Sequence, residues 1–234
     1  MNLRDRRVLV VGGSGGLGPS IVEACLALGA HVIAVGRRKT RLNELLARNA
    51  QHERLEVAEC DVSDAVGTAR LVEALERKGP IDGVVQAAGA FVFGRLTDLS
   101  EDDIDRMLTQ NLRTTIVLLR AIVPPMMARK AGSIVVVASD RALDPEIGFS
   151  IYGAAKAGVV HLVQSVAKEC LAYNVRINAL LPSIIDTPDN RGAMPKADPS
   201  LWVSPQAIAR AAAWLLTEDA RGTSGSLLRF PSAT

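Results

Sequence analysis

Long hydrophobic runs are missing from this sequence: no apolar stretch in its 234 residues approaches the ~20 that a membrane-spanning helix needs. A one-sided charge is missing as well, because 27 Lys and Arg stand against 25 Asp and Glu, for a net charge of +2. No basic tract is long enough to line a nucleic-acid groove, so neither a membrane nor a nucleic acid is an expected partner. Cysteine is scarce and scattered. Cys25, Cys60 and Cys170 sit among apolar residues and read as buried thiols of a reduced, cytoplasmic protein. His31, His52 and His161 pair with no cysteine at a metal-ligand spacing, which predicts no catalytic metal. The first residues, Asn2-Leu3-Arg4-Asp5-Arg6-Arg7, lead directly into a strand pattern, and no signal peptide is expected.

What is present is a steady alternation of strand and helix patterns. Apolar runs at 7–11, 31–35, 55–58, 83–87, 134–138, 175–180 and 226–230 read as strands. The first, R-V-L-V-V, is apolar almost throughout, as a strand covered on both faces should be. Helical periodicity fills 19–28, 41–49, 65–77, 101–119, 152–171 and 205–216. The alternation predicts an α/β protein: one doubly wound Rossmann-type domain over 1–234, its parallel sheet of about seven strands flanked by helices on both faces. Residues 182–204, with four prolines and no steady period, are the least regular segment.

The chemistry is organised around residues 139–156. A strand ends just before Ser139, a loop with Asp144, Pro145 and Gly148 follows, and a small-residue helix then carries Tyr152 and Lys156 four positions apart. That spacing puts both side chains on one helix face, within reach of one ligand. A free tyrosine, with a pKa of about 10, is a poor acid or base at neutrality. A neighbouring ammonium favours the phenolate, and lowering the pKa by ~3 takes about 4 kcal/mol. Lys156 is therefore expected to pull the Tyr152 pKa down and make the pair a proton-transfer site.

Gly12, Gly16 and Gly18 lie between a buried strand and a helix start. Glycines there let the backbone turn sharply and approach a pyrophosphate, which the helix N-terminus stabilises. An acid at the end of the second strand would bind the ribose hydroxyls of NAD. The sequence instead has Val35-Gly36-Arg37-Arg38. Without a carboxylate to repel a 2′-phosphate, and with Arg37 able to hold one, NADP is expected in preference to NAD.

Here the sequence resembles the short-chain dehydrogenase/reductase family, over essentially the whole chain. Ser139 precedes Tyr152 by thirteen residues, the family's usual interval, Lys156 follows, and Asn111 matches its helix asparagine. The resemblance implies a catalytic set of Asn111, Ser139, Tyr152 and Lys156, with Asn111 holding a water of the proton relay. It implies cofactor contacts from Gly12, Ser14, Gly16, Leu17, Gly18, Arg37, Asp61, Val62, Ala88 and Gly89. Tyr152, Lys156, Pro182, Ile185 and Thr187 complete that set. Gln86-Ala87-Ala88-Gly89 stands where the family has Asn-Asn-Ala-Gly, replacing a sheet-bracing asparagine. The tail, Arg229-Phe230-Pro231, lacks the family's usual glycine pair. Segments between Leu180 and Leu227, including Asp186-Thr187-Pro188-Asp189-Asn190-Arg191, resemble dihydropteridine reductase and imply a substrate lid over 183–204.

The implied reaction moves a hydride between a nicotinamide and a carbonyl or alcohol. Tyr152 would protonate the developing alkoxide while Ser139 donates a hydrogen bond to it. The substrate is expected against residues 140–147, where Arg141, like Arg191 of the lid, is a candidate for an anionic group, although both read better as solvated arginines. The alternatives are a pteridine or quinonoid-pterin reductase and a non-catalytic NADP-binding regulator. Helices 101–119 and 152–171 carry a surplus of apolar residues, including Ile116, Leu119, Ala155, Val159, Val163 and Val166, that would leave an exposed patch on a monomer. The family resemblance implies that these helices pair about a two-fold axis in a homodimer or homotetramer.

Overall fold

In the computed structural model, which describes residues 1–232, seven strands form one all-parallel sheet. In chain order the elements are β1 (Arg7–Val11), α1 (Gly18–Ala27), β2 (His31–Gly36), α2 (Lys39–Arg48), β3 (Leu55–Glu59), α3 (Ala65–Lys78) and β4 (Gly83–Gln86). Then come α4 (Glu101–Met107), α5 (Thr114–Arg129), β5 (Gly132–Val137), α6 (Ser150–Cys170), β6 (Val175–Pro182), α7 (Pro188–Ala193), α8 (Pro205–Leu216) and β7 (Leu227–Phe230). The strand order is β3-β2-β1-β4-β5-β6-β7, so the winding reverses between β1 and β4. At such a switch point the loops leave in opposite directions and open a crevice at the carboxyl edge.

Both faces of the sheet are apolar because both are covered. Leu9 and Val11 of β1 join one core with α3, α5 and α6, while Val8 and Val10 join the other with α1 and α8. This two-sided burial explains the continuous apolar strands. It also accounts for most of the helical surplus. Leu119, Ala155, Val159 and Val163 are buried within the subunit and Val166 packs on the same core, leaving only Ile116 of that group exposed. The patch from which an oligomer was expected is thus largely consumed inside the chain.

The helix expected over 101–119 runs ten residues further and is not regular. Ser100 caps α4 by accepting the Asp103 N–H, and a π turn, Leu108–Arg113, separates α4 from α5. The Thr114 and Thr115 hydroxyls donate to the carbonyls of Thr109 and Asn111, satisfying groups that the wide turn displaces. Pro124 and Pro125 lie inside α5, where the sequence reading had already ended the helix. Ile122, Val123 and Met126 hold that stretch in the core, while Arg120 and Pro124 face solvent, where a carbonyl without its N–H partner is hydrated. None of the helices of the described residues is long and apolar enough to cross a membrane.

Candidate active site

The loop from β1 to α1 follows the sequence expectation closely. Gly12 has φ +80, and a Cβ there would lie 2.6 Å from the Ala88 nitrogen, so the segment just after β4 approaches too closely for any side chain. Gly18 starts α1 directly against the Gly12 carbonyl. The first turn of α1 has no side-chain cap and no acidic residue, leaving its N–H groups and positive dipole end toward the crevice. Gln86, at the departure from the family pattern, accepts the Ala88 N–H at 3.3 Å and so braces its own loop.

The crevice, about 910 Å³ counting the space open to solvent, is lined by Gly12, Ser14, Gly16, Arg37, Asp61, Val62, Ala88 and Gly89, among others. Arg37 donates to Gln110 Oε1 at 3.0 Å, which fixes its guanidinium on the crevice wall. Arg38 and Arg41 line the same end, so three arginines meet there. Arg41 escaped the sequence reading because nothing separates it from an ordinary helix-surface charge on α2. Asp61 accepts two hydrogen bonds from Ser63, at 2.9 and 2.7 Å. Burial pushes its pKa up, but the Ser63 contacts and the Arg37 charge outweigh this and hold it below the usual carboxylate value. Cys60, expected with the buried thiols, is only half-buried and opens onto the crevice. Leu17 is buried with the α1–α8 core and does not line the crevice.

The four candidate catalytic residues converge near its inner end. Lys156 is 5% exposed, and its Nζ donates to the Val137 carbonyl at 3.0 Å. Ser139 Oγ donates to the Pro182 carbonyl at 3.4 Å, and its hydroxyl is near enough to Tyr152 to lower the phenol's pKa. Asn111, in the π turn, donates through Nδ2 to the carbonyls of Ala90 and Met107, at 2.7 and 2.8 Å. Its Oδ1 is buried and has no partner within the protein, an acceptor suited to a bridging water. The helix α6 approaches this turn closely, with Gly158 against Leu112.

The expected lowering of the Tyr152 pKa by Lys156 is not what this geometry produces. Burial pushes the phenol up to about 12; the Ser139 hydrogen bond lowers it, and the Asp140 charge raises it further. Lys156 Nζ sits 5.6 Å from the Tyr152 ring centre, tied to Val137, and burial lowers its own pKa to about 8. Desolvation of the phenol thus sets the direction of the shift.

Beyond β6, Thr187 caps α7 by accepting the Asn190 N–H, and its methyl side approaches Gly16. Ile185 forms a bridge with Val203 that ties down the base of the 183–204 segment, and Pro182 ends β6. Asn178 is buried and bonds both the Thr223 carbonyl and the Ser226 N–H, at 3.0 Å each, fastening the lead into β7. Arg191 pairs with Asp186. Sequence reasoning missed Phe91 and Phe149, which pack on Tyr152, and Phe93, which packs on Phe149. They lie on two loops that no periodicity relates.

A model of the short chain dehydrogenase family matches residues 6–197. The chain belongs to the short-chain dehydrogenase/reductase family. This family member is 32% identical to an acetoacetyl-CoA reductase of Synechocystis sp., over 100% of this chain and 98% of that one. A short-chain type dehydrogenase/reductase from Mycobacterium ulcerans superposes with TM-score 0.91 at 28% identity, over 98% of this chain and 89% of that one. The same fold, at 22% identity and TM-score 0.91, occurs in ElxO with NADP bound and in a xylitol dehydrogenase with NAD+ bound. Those alignments cover 96% of each chain for ElxO and 100% of each for the xylitol dehydrogenase. This short-chain dehydrogenase/reductase is accordingly an oxidoreductase that uses a nicotinamide dinucleotide.

Proposed function

We propose that the protein is an NADP-dependent reductase of carbonyl compounds, with Tyr152 as the proton donor. The observation that carries this reading is the convergence of Ser139, Tyr152 and Lys156 near the inner end of the glycine-loop crevice, where Lys156 Nζ lies 5.6 Å from the Tyr152 ring centre and comes up against Gly89. A nicotinamide bound in that crevice supplies the hydride for the carbonyl carbon. Tyr152, held at about 12, keeps its proton at neutral pH and can give it to the alkoxide that forms. Ser139 donates a hydrogen bond to the same oxygen as charge builds there. The Lys156 ammonium lies buried behind Tyr152 and favours negative charge on the phenolate left after proton transfer. Asn111 Oδ1 would hold the water that returns a proton through Lys156.

The phosphates fit the uncapped start of α1 and the glycine loop, with Ser14 contributing from that turn. A 2′-phosphate fits the Arg37, Arg38 and Arg41 end, where Gly36 offers no opposing carboxylate. The adenine would lie by Asp61 and Val62, and Ala88, Gly89, Pro182, Ile185 and Thr187 would border the nicotinamide half. By family resemblance the subunit assembles as a homodimer or homotetramer, which light scattering at micromolar concentration tests. The enzymatic reading itself is tested by following NADPH oxidation across ketones, quinones and pterins. A non-catalytic NADPH-binding protein would show binding by fluorescence and no turnover with any of them.

A further inference from the structure

Three of the chain's four phenylalanines form one cluster that reaches Tyr152 through Phe91 and Phe149, and the proton chemistry gives them no task. Phe91 stacks on Phe149, with ring centres 5.0 Å apart and planes at 17°, and meets Tyr152 edge-on at 5.0 Å. Phe93 meets Phe149 edge-on at 5.7 Å. These rings are not core. Phe91 is 44% and Phe93 65% exposed, and Leu143 and Ile147, in the loop before Phe149, are exposed as well. Yet their placement is built. The Gly94 N–H donates to the Gly148 carbonyl at 3.2 Å, clasping the two loops together. Gly148 has φ +85, and a Cβ there would run into the Phe93 ring.

The charge beneath this wall is equally specific. Arg141 lies over the Phe149 ring at 5.1 Å and reaches Glu146 at 2.5 Å, Asp144 at 3.8 Å and Asp140 at 3.9 Å. One cation among three carboxylates leaves a local excess of negative charge. Arg191 is committed to Asp186 in the same way. Both arginines that an anionic substrate would have needed are therefore engaged within the chain.

We propose that Phe91, backed by Phe149, receives the ring of a neutral aromatic carbonyl compound whose oxygen reaches Tyr152, and that the site rejects carboxylated or phosphorylated substrates. Exposed aromatic faces gain from a stacked ring, and the carboxylates around Arg141 repel an anion. This substrate class rests on the carbonyl chemistry proposed for Tyr152.

The experiment compares kcat/KM with NADPH for acetophenone against cyclohexyl methyl ketone, and for methyl 4-acetylbenzoate against 4-acetylbenzoate. Binding of the same four compounds in the presence of NADP+ is measured by calorimetry. Phe91→Leu should lower the acetophenone to cyclohexyl methyl ketone ratio about tenfold, the upper range for one aromatic pair. Phe91→Tyr should preserve that ratio. The neutral ester should exceed the carboxylate at least tenfold, a margin that Glu146→Gln with Asp144→Asn should narrow. Ratios unmoved by Phe91→Leu, or a preferred carboxylate, would overturn the inference while leaving the reductase intact. Ring-selective, Phe91-dependent binding without turnover would sustain the wall and remove the carbonyl chemistry. Neither binding nor turnover of any of the four would remove both.

Discussion

Asn111 Oδ1 and Lys156 Nζ converge on the same side of Gly89: a methyl placed there would stand 2.7 Å from the first and 3.5 Å from the second. Gly89 is thus the opening through which a water can join an orphaned acceptor to a buried ammonium. Gly89→Ala should fill it, lowering turnover at least tenfold while far-UV dichroism stays unchanged. Gly222→Ala, with nothing within 4 Å of its added carbon, is the control. Equal turnover in the two variants would remove the water-bridge role from Asn111.

Tyr152→Phe keeps the ring and its contacts with Phe91 and Phe149, and removes only the hydroxyl. Turnover should fall by about 10² to 10⁴, the usual range for a lost general acid, with NADPH affinity changed less than about threefold. Stopped-flow reduction assays and fluorescence titration read the two separately. Retained activity on a substrate that the parent reduces would end the proton-donor assignment.

Lys156 makes stability depend on pH in a defined direction. Its folded pKa, about 8, lies below the ordinary lysine value of 10.5. Between these pH values the unfolded chain binds more protons than the folded one, so stability rises with pH across this window. Below pH 8 both states are protonated and the burial cost is present in full. Relative to Lys156→Met, the parent should gain up to about 3 kcal/mol between pH 8 and 10.5. Taking the difference cancels the opposing effect of Cys25, which burial raises to about 12. Guanidinium melts of both proteins at pH 7, 8, 9 and 10 measure it. A flat difference would mean that the ammonium is not desolvated.

Cofactor preference should follow the arginine end of the crevice. Arg37→Ala with Arg41→Ala should weaken NADPH at least tenfold and leave NADH little changed, because only a 2′-phosphate meets those charges. Introducing an acid needs care, since a side chain at Gly36 would lie 2.7 Å from Ser14 Oγ. Ser14→Ala, Gly36→Asp and Arg37→Ala together should relieve that contact and make NADH the tighter ligand. Stronger NADH than NADPH binding by the unaltered protein would reverse the assignment.

Much of this was legible in the sequence because it is local. A strand buried on both faces must be apolar throughout, a turn as tight as that at Gly12 needs glycine, and Tyr152 and Lys156 share a helix face by spacing alone. These features determined the parallel α/β sheet, the glycine-loop crevice and the helix that carries Tyr152 and Lys156. The helix expected to stop at 119 runs on through Pro124 and Pro125, because distant packing of Ile122 and Met126 sustains it.

What only the tertiary structure decided depends on environment and on contacts between distant loops. Sequence spacing put an ammonium near a phenol and implied a lowered pKa, but desolvation depends on everything packed around the pair, and it turned the shift the other way. It likewise hid the apolar surplus of α5 and α6 inside the subunit. Phe91 and Phe149 lie fifty-eight positions apart in loops without periodicity, so only folding could stack them over Tyr152. The reaction class was written in residues that neighbours in the chain suffice to arrange; the wall facing the substrate was not.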